Sequence, residues 1–437
     1  MTVTEDLVFH LLKRYKPSTY NQKQLEIAYL AFIDYLACLS KGSETTKNQA
    51  FIKSFGLLGE KKIWFSSYST TPERLALLQG YLAHYEDLDD VLVTYRGHPS
   101  AVIFSALLAV SENDVQLKDF LWSYVQGVEL AGRLGQQFQP QHVKDGWHAT
   151  ATIGTLAATA AIGSLKQLSS DCFSQLLSLA TSQASGFLYQ EGTDGKPLNA
   201  GFAARNAVVA YQIIRSGLSA YADPFSSKRG WSQTIISKAL DSKQLLENWL
   251  QPSQLEKVGL WFKNYPICSA ATAGLEAAQK AFELNLSLSE IESLIIHFTE
   301  DGDRALTHRT PQNGIEGKFS IEYITWLGLI KGKVDYSDFS ENTVDQAFHQ
   351  FRNLITRKND LKASSEKRTI CLEIITKEET YSFLVEDPKG SPANPLLEDD
   401  IFEKASQLSH GKLDVLFKIK ERETLTLGEI KKLLSER

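Results

Sequence analysis

The sequence has no CxxC pair, and its four cysteines, Cys38, Cys172, Cys268 and Cys371, stand far apart. That spacing excludes a dense disulfide framework and a cysteine zinc site, and reads as reduced thiols of a cytosolic protein. It has no basic stripe either. The net charge is −6, with acidic and basic residues interspersed, so a nucleic-acid surface is not expected. A few lysines can still make a pocket positive for a small anion. Long runs of large apolar residues are missing as well: the most apolar stretch, Ala149–Leu165, is mostly Ala, Thr and Gly, unlike a membrane span. Met1–Tyr15 carries Glu5, Asp6, His10, Lys13 and Arg14, which no signal peptide would. A soluble, cytoplasmic protein without membrane partners is expected. No GxGxxG follows a strand, no GxxxxGK[ST] or HExxH occurs, and the histidines lack metal-ligand spacing. Hydride transfer, phosphoryl transfer and zinc hydrolysis lose their support, and neither cofactor nor metal is expected.

What is present is ordinary folded-protein composition, 43% hydrophobic and 22% charged, over 437 residues, enough for two or three domains. The first 250 residues read as successive helices. Leu25, Ala28, Ala31, Phe32, Tyr35 and Leu36 recur at three- and four-residue steps, one buried helical stripe. Thr150–Leu165 is apolar nearly all round and built of small residues, which places it at the centre of a helical domain. After Trp261 the pattern changes. Glu292–Thr299 is a short β-prone run, and Arg368–Thr376 with Glu379–Glu386 gives a hairpin signal. The proline-rich Asp387–Pro395 ends this region, and helical signals then return. The fold expected is mainly α: a large all-helical domain formed by both chain ends, 1–259 and 395–437, with an inserted smaller α+β lid domain, 260–394.

Three segments carry the residue types of a site. In His84–Ser100 (HYEDLDDVLVTYRGHPS), carboxylates and histidines interrupt two helical segments. A carboxylate beside a histidine fixes its tautomer and raises its basicity; the competing reading is a helix end with Asp89 and Asp90 solvated. His148, in Gly146–His148, precedes the small-residue helix, where the helix dipole favours a bound anion; a helix-start histidine with no task is equally compatible. Lys196, in Gln190–Asn206, lies between a glycine-containing loop and an Ala-rich helix, and meets a carboxylate as a point charge or is simply solvated. Lys263 is flanked by aromatics in WFKNYPIC and Lys318 lies in GIEGKFS; a buried lysine is costly without an anion, unless its stem snorkels. Cys268 has no activating base in its own segment and reads as a passive pocket or core cysteine.

Five motifs in order, DLDD followed by GHPSA (Asp87–Ala101), GWHATATIGTLAATAA (Gly146–Ala161), SQASG followed by GKPLNAGFAARN (Ser182–Asn206), FKNYPIC (Phe262–Cys268) and EGKFSIEY (Glu316–Tyr323), resemble the MmgE/PrpD family over nearly the whole chain. The resemblance implies a homodimer, a cofactor-independent site at the domain junction, and chemistry on small polycarboxylates: dehydration of 2-methylcitrate, decarboxylation of cis-aconitate or epimerisation of iminodisuccinate. It implies that Asp87, His98, His148, Lys196 and Lys263 line the pocket. Relative to the decarboxylases, Val91 replaces a threonine, Cys268 a histidine and Leu306 a tyrosine, with His308 and Arg309 nearby, and one extra residue separates DLDD from GHPS. These departures argue against cis-aconitate decarboxylation.

The expectation is therefore a carbon–oxygen lyase, a dehydratase of a di- or tricarboxylate. Asp87, His98, His148 and Lys196 are its catalytic candidates; Lys263, Cys268, Lys318, Arg309 and His308 bind substrate. An epimerase or isomerase needs the same groups without a leaving group. A catalytically silent metabolite-binding relative is the non-enzymatic alternative. An Mg²⁺–diphosphate site like that of terpenoid synthases is disfavoured, because DLDD lacks both the DDxxD spacing and a second metal motif.

Overall fold

The computed structural model describes residues 2–16, 19–56, 59–362, 367–419 and 422–435. The chain divides into two compact units. The first comprises Met1–Tyr189, Pro197–Phe262 and Leu397–Arg437; the second comprises Gln190–Lys196 and Lys263–Leu396.

Helix α1 (Thr19–Gly42) buries the stripe of Leu25, Ala28, Ala31, Phe32, Tyr35 and Leu36, each at most 4% exposed. The chain then makes a two-stranded antiparallel pair, β1 (Lys61–Lys62) with β2 (Ser69–Thr70), in register Lys61↔Thr70. Helices α2 (Pro72–His84), α3 (Pro99–Val110), α4 (Leu117–Phe138) and α5 (Ala149–Lys166) follow. All of α5 from Ala149 to Ser164 is buried, as its small, apolar composition requires. A Cβ added at Gly127 of α4 would stand 2.8 Å from the Ala157 carbonyl of α5. Only glycine lets these two helices approach so closely. Helix α6 (Gly195–Arg215) packs against α2 in the same way: a Cβ at Gly80 would fall 2.8 Å from Gly201 Cα.

In the second unit, α7 (Thr272–Phe282), β3 (Ile291–Thr299), α8 (Ile321–Lys331), β4 (Ile355–Leu361), β5 (Ile370–Thr376) and β6 (Thr380–Val385) form a sheet with helices on one face. The strand order is β4-β3-β5-β6; β3 runs parallel to β4 and antiparallel to β5, and β5 antiparallel to β6. Leu294, Ile296 and Phe298 alternate into a core shared with Leu275, Ile321 and Leu372. Fully burying one such side chain contributes ~1.5–3 kcal/mol. The chain returns to the first unit as helix α9 (Glu398–Ser409), which packs on α1.

The expectation of a mainly α chain with an all-helical large domain is corrected here. Strand makes up 10% and helix 55%, in sheets of four and two strands, so the chain is mixed α/β. The first unit holds the β1–β2 pair. Strands of two residues are too short for the alternation that reveals a strand in sequence. Among the described residues, no helix is long and apolar enough to cross a membrane.

Candidate active site

Helix α2 ends at His84, and the loop to α3 returns on itself through Leu92 N–H to Gly97 C=O, 3.1 Å. Asp87 takes a left-handed backbone, φ 54°, a conformation that aspartate tolerates better than most residues. His98 and His148 are the N-caps of α3 and α5, each extended. The His98 amide donates to Thr150 Oγ1 at 3.2 Å, which ties the starts of the two helices together. The ring centroids of His84 and His98 are 4.2 Å apart, and those of His84 and His148 6.4 Å. Two carboxylates lie among them. His84 Nδ1 contacts Asp89 Oδ1 at 2.9 Å. His98 Nδ1 contacts Asp89 Oδ2 at 3.3 Å, longer and less well aligned, and His98 Nε2 faces Asp87 Oδ1 at 3.6 Å. None of these five side chains is more than a tenth exposed. Asp89, solvated in one sequence reading, is fully buried. Burial would push its carboxyl up, but its interactions with His84 and His98 outweigh that and hold it well below the ordinary value. An ionised acceptor thus sits between two imidazoles.

The second unit gathers the cations. Lys196, Lys263 and Lys318 are at most 7% exposed. Lys196 Nζ lies 5.2 Å from the centroid of the Phe319 ring. His308 accompanies it: its amide donates to Phe319 C=O (3.2 Å) and its Nε2 lies 3.3 Å from Glu191 C=O. The Cys268 amide donates to Lys318 C=O at 3.0 Å, and Lys263 Nζ donates to Ile267 C=O at 3.3 Å. Three segments far apart in sequence, 190–196, 263–268 and 306–319, therefore meet. Arg309 is placed differently. Its side chain is 57% exposed and pairs with Glu322 at 3.8 Å, a carboxylate that Arg357 also holds. Asn199 of helix α6 belongs to the first unit. Asn199 Nδ2 lies 3.0 Å from His148 Nδ1. His84, Asn199 and Phe319 lie in segments that the sequence singles out but are not named there as site residues, because what distinguishes them is their contacts with Asp89, His148 and Lys196.

The N-terminal domain model of the MmgE/PrpD family matches residues 10–243 and its C-terminal domain model residues 265–425. The chain belongs to the MmgE/PrpD family. The resemblance carried by the five motifs is thus confirmed. Among the relatives of this MmgE/PrpD chain, cis-aconitate decarboxylase of Mus musculus is 24% identical over 68% of this chain and 64% of its own length, just under two thirds. Cis-aconitate decarboxylase of Aspergillus terreus is 23% identical over 72% of this chain and 70% of the relative. The cis-aconitate decarboxylase-like protein oryM of Aspergillus oryzae is 23% identical over 91% and 89%.

Two features of this cluster bear on its charge. Among the described residues, His84, Asp87, Asp89 and His98 are the group whose donors, all within 4.8 Å of one another, match a metal site in composition. Their mutual contacts at 2.9 and 3.3 Å are equally those of imidazole–carboxylate hydrogen bonds. The second feature is Asp90, fully buried, with Ser100 Oγ 2.6 Å from Oδ2 and Tyr124 OH 2.7 Å beyond. Burial, with Asp34 and Asp89 nearby, pushes it up to about 8. Between pH 3.8, its ordinary value, and about 8 the folded chain keeps this proton while the unfolded chain releases it. The stability Asp90 contributes is therefore full below that window and lost as pH rises through it. Asp90→Asn removes this titration. Urea unfolding across the range should show wild type losing stability relative to the variant as pH rises; a constant difference would refute the assignment.

Proposed function

We propose that the chain is a lyase acting on a small di- or tricarboxylate, removing water by carboxylate clamping and general acid–base transfer. The observation that carries this reading lies in the first unit, where the buried Asp89 carboxylate sits between the imidazoles of His84 and His98, with the His148 ring 6.4 Å from that of His84. Lys196, Lys263 and Lys318 neutralise the substrate's carboxylates and the charge that develops when the neighbouring carbon loses a proton. One imidazole takes that proton and the other gives one to the departing hydroxyl, each contributing ~10²–10⁴-fold. Elimination is favoured over decarboxylation by the departures from the decarboxylase pattern: Leu306 is 1% exposed within the apolar core of the second unit, and Val91 is 2% exposed. Neither offers a hydroxyl. We further propose a homodimer in the cytoplasm that needs no cofactor.

The test is turnover of a panel of citrate-like tricarboxylates and imino-diacids in deuterated water, with EDTA present. Loss of water supports the dehydratase; deuterium uptake without loss of water turns the reading to an epimerase. Tight tricarboxylate binding with no turnover across the panel identifies a silent binder. Lys196→Ala should raise KM roughly 10- to 100-fold, as expected for losing one charge-assisted hydrogen bond. The cation–π contact with Phe319 goes with it, and a thermal melt on the same sample separates lost affinity from lost stability. Unchanged kinetics would remove Lys196 from the pocket.

A further inference from the structure

The two helix-capping histidines differ in what faces their Nδ1 atoms. His98 Nδ1 faces a carboxylate oxygen, Asp89 Oδ2, at 3.3 Å. Its Nε2 faces a second carboxylate oxygen, Asp87 Oδ1, at the longer distance of 3.6 Å; an ionised carboxylate only accepts, and the nearer one favours the proton of neutral His98 on Nδ1 with none on Nε2. His148 Nδ1 faces the side-chain amide of Asn199 at 3.0 Å. Which end of an amide points where is normally a matter of assignment, but here a second contact decides it. The same Asn199 atom lies 3.3 Å from the Phe187 carbonyl oxygen, which can only accept. That atom is therefore the NH₂ nitrogen, and it donates to His148 Nδ1. With Nδ1 accepting, the proton of neutral His148 sits on Nε2.

We infer that Asp89 and Asn199 are positioning residues that hold His98 and His148 in opposite tautomers, so that His98 offers a bare Nε2 as base and His148 an Nε2–H as acid. The inference deepens the proposed lyase reading and rests on it for the chemistry, though not for the tautomers. In the elimination, His98 Nε2 takes the proton from the carbon beside a carboxylate, and the C–H electron pair becomes the new C=C bond. The C–O bond breaks, and the departing oxygen takes the Nε2 proton of His148 and leaves as water. His98 ends as a cationic imidazolium and His148, its only ring proton gone, as an imidazolate that the Asn199 amide stabilises at Nδ1, so one proton passes between them through solvent before the next cycle. Asp87 Oδ1, 3.6 Å from His98 Nε2, stands where it stabilises the imidazolium once formed. The distance exceeds that of a hydrogen bond, which fits a resting state with no proton on that nitrogen. Asp89 is held in turn by His84 at 2.9 Å, so its carboxylate stays in place when His98 changes charge.

Long-range ¹H–¹⁵N correlation of the full chain labelled with ¹⁵N-histidine reads the tautomers at neutral pH with no substrate, and His98→Gln and His148→Gln assign the signals. The expected result is His98 protonated at Nδ1 alone and His148 at Nε2 alone. Both rings in one tautomer, or either doubly protonated, would overturn the inference. Asn199→Asp replaces the donor by an acceptor. It should move the His148 proton to Nδ1 and lower kcat by on the order of 10²–10⁴-fold, the scale seen when a catalytic histidine is held in the wrong tautomer, with KM within about threefold of wild type. A variant whose His148 keeps its Nε2 proton, or whose kcat is unchanged, contradicts it. Asp89→Asn should likewise abolish the Nδ1 preference of His98; if that variant does not fold, the wild-type spectrum and Asn199→Asp decide the matter. Opposite tautomers with no turnover of any carboxylate would sink the lyase reading alone. Turnover with matching tautomers would sink this inference alone.

Discussion

Replacing His98 by glutamine is expected to lower kcat/KM by on the order of 10²–10⁴-fold while the chain stays folded. Glutamine fills a similar volume and can still donate to Asp89, so the buried carboxylate keeps a partner where the imidazole stood. Alanine is the poorer choice, since it would leave Asp89 with fewer donors in a fully buried position and confuse instability with lost chemistry. What glutamine cannot do is bind and release a proton near neutral pH. The loss should fall on kcat, because the substrate's carboxylates are assigned to lysines and not to this ring. Steady-state kinetics with a thermal melt on the same samples measure both quantities. Wild-type kcat in a folded His98→Gln protein would remove His98 from the chemistry.

The sequence shows this site unevenly, and the reasons are physical. His98 and His148 stand out because each precedes a helix start, and a helix start has local signatures: Pro99 in one case, the small-residue run in the other. Asp89 does not. Charged residues between helices are usually solvated, and only the return of the loop between two imidazoles makes Asp89 buried and ionised. Asn199 is legible as part of a family motif but not as the residue that orients His148, since the pairing spans 51 positions. Among the strands, β3, β5 and β6 are readable from their apolar alternation, whereas β4, with the sequence ITRKNDL, is not. It pairs on one side only, at the sheet edge, and edge strands tolerate charge that central strands cannot. The segment Gln190–Lys196 belongs to the second unit although helix α6 continues from it into the first; nothing in its composition marks that break.

Distance in sequence also hides what anchors the loop that carries Asp87 and Asp89. Lys404 of α9 reaches Asp34 of α1 at 2.5 Å and donates to the Leu88 carbonyl at 2.9 Å. Leu88 lies between Asp87 and Asp89, so this ammonium group holds the stretch that carries both carboxylates. Lys404 is 7% exposed and Asp34 1%. Two opposite charges taken out of water roughly offset each other's desolvation, but removing one leaves the other uncompensated, at ~3–5 kcal/mol. Lys404→Met keeps most of the side chain's volume and deletes the charge. It should therefore destabilise the chain by about that amount, with the urea midpoint falling accordingly. The double variant Asp34→Asn with Lys404→Met removes both charges and should recover much of the stability. It should not recover full kcat, because the Leu88 carbonyl remains without its donor and the loop is no longer held. A double variant with wild-type kcat would show that the Lys404 contact with Leu88 does not position the loop; a single variant as stable as wild type would show that the ion pair does not balance the buried charge of Asp34.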